Sequence, residues 1–339
     1  MKAIHPQGSA MQGFDAEFKD LDQYIRVITD RIWEGRRIDD IRQYYSDPCV
    51  VETPSSVSTS LQAVVDGTKA TLVMFPDRRL LAEDVIQSGD AAGGFLSSHR
   101  IISPMTHLGD GTFGKASGKG VQVRTIADCV CKDNRIVHEW LVRDQGAIAL
   151  QIGMTPKSLA QQWINERGDF AKPVAGAAPA GYVSHVSTHP HAQAYAQAIQ
   201  ALSRGQADAM GVYDEAVHHL GPNGSTRYGH VQTLEFWAHL FSNFAVQSFT
   251  VEHLALQSDP TRPARIAMRW RVKAVHAFDN KFAQCQRDMV KPSYEKDTNR
   301  EIEIMGINHA EMVNGKVIRE WVLIDDVALW MQVLSGKKA

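Results

Sequence analysis

A segment near the middle of the chain recurs close to its end, and this repeat constrains the fold more than any other feature. Residues 134–151 align without gaps with residues 315–332, and Trp140 and Trp321 therefore stand 181 residues apart. Five of the 18 aligned positions are identical, and seven more exchange similar residues. Solenoid units have roughly 20–50 residues, which is far shorter than this period. The sequence therefore predicts two copies of one domain.

The boundary between the two copies follows from composition. Residues 171–189 begin with a stretch rich in Ala, Gly and Pro that lacks an apolar period, which is typical of a semi-extended linker. We expect the first domain at residues 14–170 and the second at residues 190–335. A chain of 339 residues is long enough for two domains of ordinary size.

Both halves show helices first and a run of strands afterwards. Apolar residues spaced three and four apart from Phe18 to Ile32 predict an amphipathic helix. Helices followed by antiparallel strands form the α+β pattern, and a curved, mostly antiparallel sheet around such helices makes a cone-shaped domain with an open mouth. Further helices are expected near 38–45, 60–74, 195–202 and 231–244, and strands near 49–53, 80–87, 95–106, 121–131, 136–143, 248–257, 265–276, 300–312 and 317–324.

Composition excludes several classes of protein. Lys and Arg number 36 against 38 Asp and Glu, and this balance gives no electrostatic basis for a nucleic-acid partner. Four cysteines are too few for a disulfide scaffold and lack zinc-site spacing. The apolar runs are shorter than the ~20 residues that span a membrane, and the N-terminus shows no signal peptide. We expect a cytoplasmic protein without membrane contact, metal or organic cofactor.

Two motifs resemble a known family. The ending Asn314-Gly-Lys-Val-Ile-Arg-Glu-Trp321 is similar to the last strand of the SnoaL-like polyketide cyclases, and the hairpin Thr106-His-Leu-Gly to Ser117-Gly-Lys119 resembles one in that family. The family has the nuclear transport factor 2-like, or cystatin-like, fold. The resemblance covers the whole first domain and most of the second, and it implies two tandem cones. Because this fold hosts many activities, function must be argued from the site.

The resemblance transfers individual residues. The hairpin histidine of the family corresponds to His107 in the first domain and to His276 in the second. The catalytic aspartate of the cyclases corresponds to Asn308 and, without a gap, to Ala127. Asp128 follows one residue later, and a shift of one residue places a strand side chain on the opposite face. Asp128 therefore reaches the pocket only if a β-bulge intervenes.

Strand alternation supplies further candidates. His99, Met105 and His107 share one strand face, which suits a partly apolar pocket with polar groups, and histidine titrates near neutral pH. Related family members place polar residues toward the cavity at the positions of Glu139 and Glu320. A desolvated carboxylate there would have a raised pKa and could shuttle protons. The alternative is an ion pair with a nearby arginine that fixes the sheet.

Aromatic and repeated residues complete the set. Trp140 and Trp321 are repeated, which favours packing or a contact between domains, and Asp144 and Asp325 precede helices, which favours N-capping. Family domains usually pair through their sheet faces, so two copies in one chain predict an intramolecular pseudo-dimer, with further homo-oligomers left open. The ligand-binding candidates, several of which could equally be core, are Trp33, Tyr45, Met105, Trp270, His276, Asn308 and Glu320.

Three functions remain open. The first is a cofactor-independent enzyme that cyclises, isomerises or hydrates a small, largely apolar carbonyl compound in the first domain. His107 would move the proton, and His99 with either Asp128 or Glu139 would assist. The second is a small-molecule-binding module without turnover, which the missing cyclase acid motivates. The third is a scaffold that binds proteins through its sheet faces and has closed cavities.

Overall fold

The computed structural model describes residues 11–171, 182–277 and 298–335, and both halves contain helices followed by strands. The first half contains α1 (Leu21–Thr29), α2 (Ile41–Tyr44), β1 (Tyr45–Glu52), β2 (Val57–Ser58), α3 (Leu61–Met74), β3 (Leu81–Asp90), β4 (Gly94–Thr106), β5 (Gly120–Lys132), β6 (Arg135–Arg143), α4 (Gln145–Ile152) and α5 (Pro156–Arg167). The second half contains α6 (Pro190–Leu202), β7 (Tyr213–Leu220), β8 (Thr226–Tyr228), α7 (Gly229–Ser242), β9 (Ala245–Asp259), β10 (Arg262–Val275), β11 (Glu301–Val313), β12 (Lys316–Leu323) and α8 (Asp326–Leu334). The predicted α+β class is confirmed.

Each half forms one six-stranded mixed sheet, and the two sheets have the same strand order. The orders are β2-β1-β6-β5-β4-β3 and β8-β7-β12-β11-β10-β9. The pairs β1–β6 and β7–β12 are parallel, whereas the other neighbours are antiparallel. Neither sheet closes into a barrel. The repeat in the sequence therefore corresponds to a repeat of the whole topology.

Helix α1 covers the inner face of the first sheet, as its apolar spacing predicts. Asp20 caps its N-terminus by accepting a hydrogen bond from the Gln23 backbone N–H. Its buried side chains include Leu21, Ile25 and Ile28, and the helix continues into a π-helical turn at Asp30–Glu34. Contacts of α1 with β3 and β4, and of α3 with β1, enclose the interior of the first half.

The two halves pack through the outer faces of their sheets. Leu96, Ile126 and Val142 of the first half form one apolar cluster with Met305 and Ile307 of the second. The repeated tryptophans lie at this contact, as predicted. Each has an arginine of the opposite half stacked over its ring, which is a favourable cation–π arrangement. The Arg269 guanidinium lies 3.6 Å from the Trp140 ring centroid and the Arg100 guanidinium 3.5 Å from that of Trp321.

Residues 172–181 of the predicted linker, and the insertion at residues 278–297, lie outside the described residues. From Tyr182 onward the chain runs beside β9, where the Ser187 N–H donates to the Leu254 carbonyl over 2.8 Å. The proposed domain bounds stay predictions. None of the helices in the described ranges is long and apolar enough to cross a bilayer.

Candidate active site

The first half encloses a cavity of about 400 Å³ between its sheet and helices α1 and α3. The inward-facing positions of three neighbouring strands line it, including His99 and Ile101 on β4, Ala127 on β5, and Glu139 and Leu141 on β6. Alternation along antiparallel strands in register brings these side chains to one face. The volume lies in the range of small-molecule sites.

Glu139 is a buried carboxyl group in this cavity, only 6% exposed. Its Oε2 accepts a hydrogen bond of 3.2 Å from the Tyr45 hydroxyl. Burial raises the pKa of Glu139 to about 7, although Tyr45 and the charge of Arg143 oppose the rise. The group therefore exchanges its proton near neutral pH, as a catalytic acid or base must.

His99 faces the same cavity, and its Nε2 has no hydrogen-bond partner among the described residues. Burial, followed by the charges of Arg26 and Arg100, lowers the pKa of His99 to about 3, so the ring is neutral at pH 7. His99 pairs with Ala127, and Glu139 pairs with Cys129. This register separates the Cα atoms of His99 and Glu139 by about 12 Å across β5. A ligand between them can touch both.

Asp128 lies outside the cavity. The pairing of β4 with β5 is continuous, and β5 pairs with β6 without interruption from Thr125 to Val130, so no bulge turns Asp128 inward. Its Oδ2 accepts hydrogen bonds from His253 Nδ1 at 2.9 Å and Arg269 Nη1 at 2.8 Å. Burial alone would raise its pKa, but these two partners hold it at about 2. Of the two carboxylates considered as assisting groups, Asp128 therefore lies outside the cavity and Glu139 inside it.

His107 also lies away from the cavity. Eight residues of extended strand separate it from His99, a distance of roughly 27 Å. Its ring packs on Phe75 with 5.3 Å between centroids, and its Nδ1 is hydrogen-bonded to the Ser117 hydroxyl at 3.2 Å. Met105 belongs to the same hydrophobic cluster as Phe75. The predicted grouping of both with His99 fails because β4 extends beyond the cavity.

The second half repeats the His107 arrangement at the end of β10. His276 Nδ1 is hydrogen-bonded to the Thr298 hydroxyl at 2.8 Å, and its backbone N–H donates to the Arg300 carbonyl, as that of His107 donates to Lys119. Both histidines are buried against a phenylalanine. This repetition indicates that the histidine holds its hairpin in place.

Glu320, which corresponds to Glu139, is fully compensated within the second half. Its carboxylate accepts three hydrogen bonds, from the Tyr195 hydroxyl at 2.5 Å, the Tyr213 hydroxyl at 2.8 Å and His219 Nδ1 at 2.8 Å. All four side chains are buried. The same residue type therefore serves the packing of the second half.

Trp270 and Asn308 also occupy the interior of the second half. Trp270 Nε1 donates to Asn308 Oδ1 over 2.9 Å, and Asn308 Nδ2 donates to the Tyr195 hydroxyl over the same distance. A Cβ at Gly306 would come within 2.1 Å of the Trp270 ring, so glycine is required there. The smaller Ile101 and Ala127 stand at the corresponding positions of the first half, which leaves room for its cavity.

Trp33 and Tyr45 line the cavity as sequence reasoning proposed, but its three further charged lining residues were missed. Arg143 shares its strand face with Glu139, so alternation could have identified it. Arg78 lies in the loop between α3 and β3, where no pattern applies. Asp325 caps α8, as predicted, by accepting hydrogen bonds from the Val327 and Ala328 N–H groups. Burial raises its pKa to about 8.

Comparison with protein families identifies the class of protein. The model described as SnoaL-like polyketide cyclase matches residues 24–152, and the model described as SnoaL-like domain matches residues 193–320. Together the two stretches cover more than half of the chain. The chain therefore belongs to the SnoaL-like family and carries two tandem domains of it.

Solved structures include similar single-domain proteins. IdmH from Streptomyces antibioticus, a proposed polyketide cyclase, is 18% identical, with 39% of this chain and 96% of that chain covered and a TM-score of 0.34. A SnoaL-like polyketide cyclase from Agrobacterium tumefaciens is 20% identical (40% and 100% covered, TM-score 0.34). AclR from Streptomyces galilaeus, a proposed hydroxylase, is 17% identical (43% and 97% covered, TM-score 0.32). Among curated proteins, no sequence matches.

Proposed function

We propose that the cavity of the first half is the active site of a cofactor-independent enzyme. It would move protons on a small, largely apolar carbonyl compound in a cyclisation, isomerisation or hydration. The observation that carries this proposal is Glu139, a buried carboxyl group with a pKa of about 7 that faces a cavity of about 400 Å³. Membership of the SnoaL-like family is consistent with such chemistry.

Glu139 serves as the base in this proposal. Its carboxylate removes a proton from the carbon beside the carbonyl group, and the electrons of the broken C–H bond move to the carbonyl oxygen. The neutral His99, protonated on Nε2, donates a hydrogen bond to the resulting enolate. In a cyclisation the enolate carbon attacks a second carbonyl group, and the alkoxide that forms takes the proton back from Glu139. In an isomerisation Glu139 returns the proton to a different carbon of a conjugated enolate. Glu139 takes the role first assigned to His107.

Binding without turnover is the second candidate function. Ala127 lines the cavity at the position that corresponds to the catalytic acid of the cyclases, and its methyl group cannot transfer a proton. If this candidate is correct, a ligand of the cavity returns unchanged after long incubation. The cavity of the first half gives no support to the scaffold hypothesis, which expects closed interiors.

Solvent deuterium exchange tests the enzyme proposal. The probe is α-tetralone, an apolar bicyclic ketone, and NMR follows deuterium incorporation beside its carbonyl group. We expect exchange above the buffer rate, rising with pH through about 7 because the base must be ionised. Glu139→Gln should lower the rate about 100-fold, within the usual range for a lost general base. His99→Gln should lower it by about tenfold or more.

His107→Gln is the matched control. His107 is also a buried histidine, but it follows the end of β4 and lies outside the cavity. Its exchange rate should stay within about threefold of the unchanged protein. If the probe binds but no protein-dependent exchange occurs, the binding module is favoured. If His107→Gln lowers the rate more than Glu139→Gln does, the assignment of the base is wrong.

A further inference from the structure

Two arginine side chains reach the cavity without a carboxylate partner. Arg78, which is 8% exposed, comes from the loop before β3, and Arg143 is the last residue of β6. Neither guanidinium group has a hydrogen bond or ion pair to any residue that the structure describes. The buried arginines at the contact between the halves all have a partner within 3.0 Å: Arg100 with Glu83, Arg265 with Asp84, and Arg269 with Asp128.

The acidic groups nearest to this pair do not neutralise it. Glu139 and Asp325 interact electrostatically with Arg143, but neither forms an ion pair with it. Burial raises the pKa of Glu139 to about 7 and that of Asp325 to about 8, so both are largely or partly protonated at neutral pH. Burial and then the charge of Arg143 lower the pKa of Arg78 to about 9, as expected for two uncompensated cations.

We propose that Arg78 and Arg143 bind a carboxylate group of the substrate, so that the enzyme acts on a small carbonyl compound that is also a carboxylic acid. Guanidinium groups present paired N–H donors that match a carboxylate, and buried charges require such a partner. A phosphate dianion fits less well, because the ionised fraction of Glu139 and Asp325 repels two negative charges more strongly than one.

The position of the arginines also orients the substrate. Glu139 and Arg143 lie on the same face of β6, four residues apart, which separates their Cα atoms by about 13 Å. A ligand held by its carboxylate at Arg143 therefore extends along the strand toward Glu139 and His99. Gln145 lines the cavity next to Arg143, and its Oε1 has no donor among the described residues, so it offers an acceptor to the same ligand.

A pair of matched probes tests the inference by calorimetry. 2-Naphthoate carries a carboxylate, whereas 2-naphthamide has nearly the same shape without a charge. We expect the naphthoate to bind at least about tenfold more tightly, and more tightly than 2-naphthyl phosphate. Arg78→Met and Arg143→Met should each reduce the preference for naphthoate over the amide to less than about threefold. Arg143→Lys should retain most of it, because it retains the charge.

Arg79→Met is the matched control, since Arg79 is the neighbour of Arg78 but is exposed and paired with Glu34 outside the cavity. It should keep the full preference. Equal affinity of the unchanged protein for both naphthalene probes, tighter binding of the phosphate, or a preference that survives both methionine variants would overturn the inference. If a variant fails to fold, the relative affinities of the unchanged protein for the three probes still test whether the cavity prefers a carboxylate.

The carboxylate inference rests on the proposed function, because it treats the cavity as a substrate site. Separate measurements can nevertheless contradict either one alone. Glu139→Gln should lower deuterium exchange about 100-fold and leave the naphthoate preference intact. A preference for naphthoate without any exchange chemistry would contradict the proposed function alone. Exchange of α-tetralone without a preference for naphthoate would contradict the carboxylate inference alone.

Discussion

Surroundings, and not residue type, distinguish the two repeated glutamates. Glu320 has three hydrogen-bond donors around its carboxylate, whereas Glu139 has the single Tyr45 hydroxyl. An ionised carboxylate in a buried site needs several donors or a cation to offset its desolvation. Glu139 lacks them, and it therefore favours its protonated form, so that ionisation of Glu139 costs folding free energy.

This cost makes a prediction about stability. The pKa of Glu139 is about 7 in the folded protein against an ordinary value of 4.5, so the contribution of Glu139 to stability falls as pH rises from 4.5 to 7 and is constant above. The full effect is about 3 kcal/mol. Glu139→Gln should remove this part of the pH dependence and make the protein more stable than the unchanged chain at pH 8, measured by urea unfolding.

Glu320→Gln is the matched comparison. The new side-chain amide would point its N–H group at hydroxyl or imidazole donors that need an acceptor. We expect it to destabilise the protein at every pH. If Glu139→Gln also destabilises the protein at pH 8, Glu139 is a structural group like Glu320 and not a poorly compensated one.

Helices and strands with strong periodicity could be predicted from the sequence, and those held by tertiary contacts could not. Alternation along β6 puts Glu139 and Arg143 on one face, because β6 pairs with β5 without a break from Thr125 to Val130. Strand β7 carries charged residues and no alternation, and it forms because β12 pairs with it. Alternation also fixes the side of a strand but not the extent of a cavity, which is why His107 was misplaced.

The repeated glutamines dock a helix onto a strand in each half. Gln151 of α4 accepts a hydrogen bond from the Gln122 N–H and donates to its carbonyl, both at 2.8 Å. Gln332 of α8 makes the same pair with Glu303, at 2.8 and 2.9 Å. Strands β5 and β11 extend beyond the ends of their neighbours β6 and β12. There the glutamine side-chain amide makes the backbone hydrogen bonds that a neighbouring strand would make, which explains why glutamine is identical in both copies.

We predict unequal costs for removing the two glutamines. Gln332→Ala should destabilise the protein by about 2 kcal/mol, because Gln332 is buried and its loss leaves buried backbone groups unpaired. Gln151→Ala should cost about 1 kcal/mol or less, since Gln151 is exposed and water can replace it. Gln162→Ala, which removes only a surface bond to Glu166, is the control in thermal unfolding. Equal costs for both would contradict the role of burial.

At the scale of the whole molecule, the two halves form a pseudo-symmetric contact. Glu83 binds Arg100, which stacks on Trp321, and Glu252 binds Arg269, which stacks on Trp140. Such reciprocal contacts are characteristic of two-fold interfaces. The symmetry breaks within the charged part of the contact, for example where the first half has Asp128 and the second has His309.

That break places a buried charge network at the contact. Arg269 and His253 both depend on the carboxylate of Asp128, whereas Arg100 hydrogen-bonds with the His309 ring. Burial alone would raise the pKa of Asp128, but His253 and Arg269 hold it at about 2. Because this pKa is lowered, the stabilisation is fully present above pH 3.8 and is lost as the pH falls toward 2.

Asp128→Asn should therefore destabilise the protein by about 3–5 kcal/mol, equally across pH 5–8, because it leaves Arg269 buried without a full counter-charge. Urea unfolding measures this cost, and Glu252→Gln, which removes a more exposed carboxylate that Arg269 shares with Arg271, should cost less than Asp128→Asn. Deuterium exchange by folded Asp128→Asn should stay near that of the unchanged protein, since the residue faces away from the cavity. Exchange that is lost while stability is unchanged would instead place Asp128 in the chemistry, against the continuous register of β4 and β5.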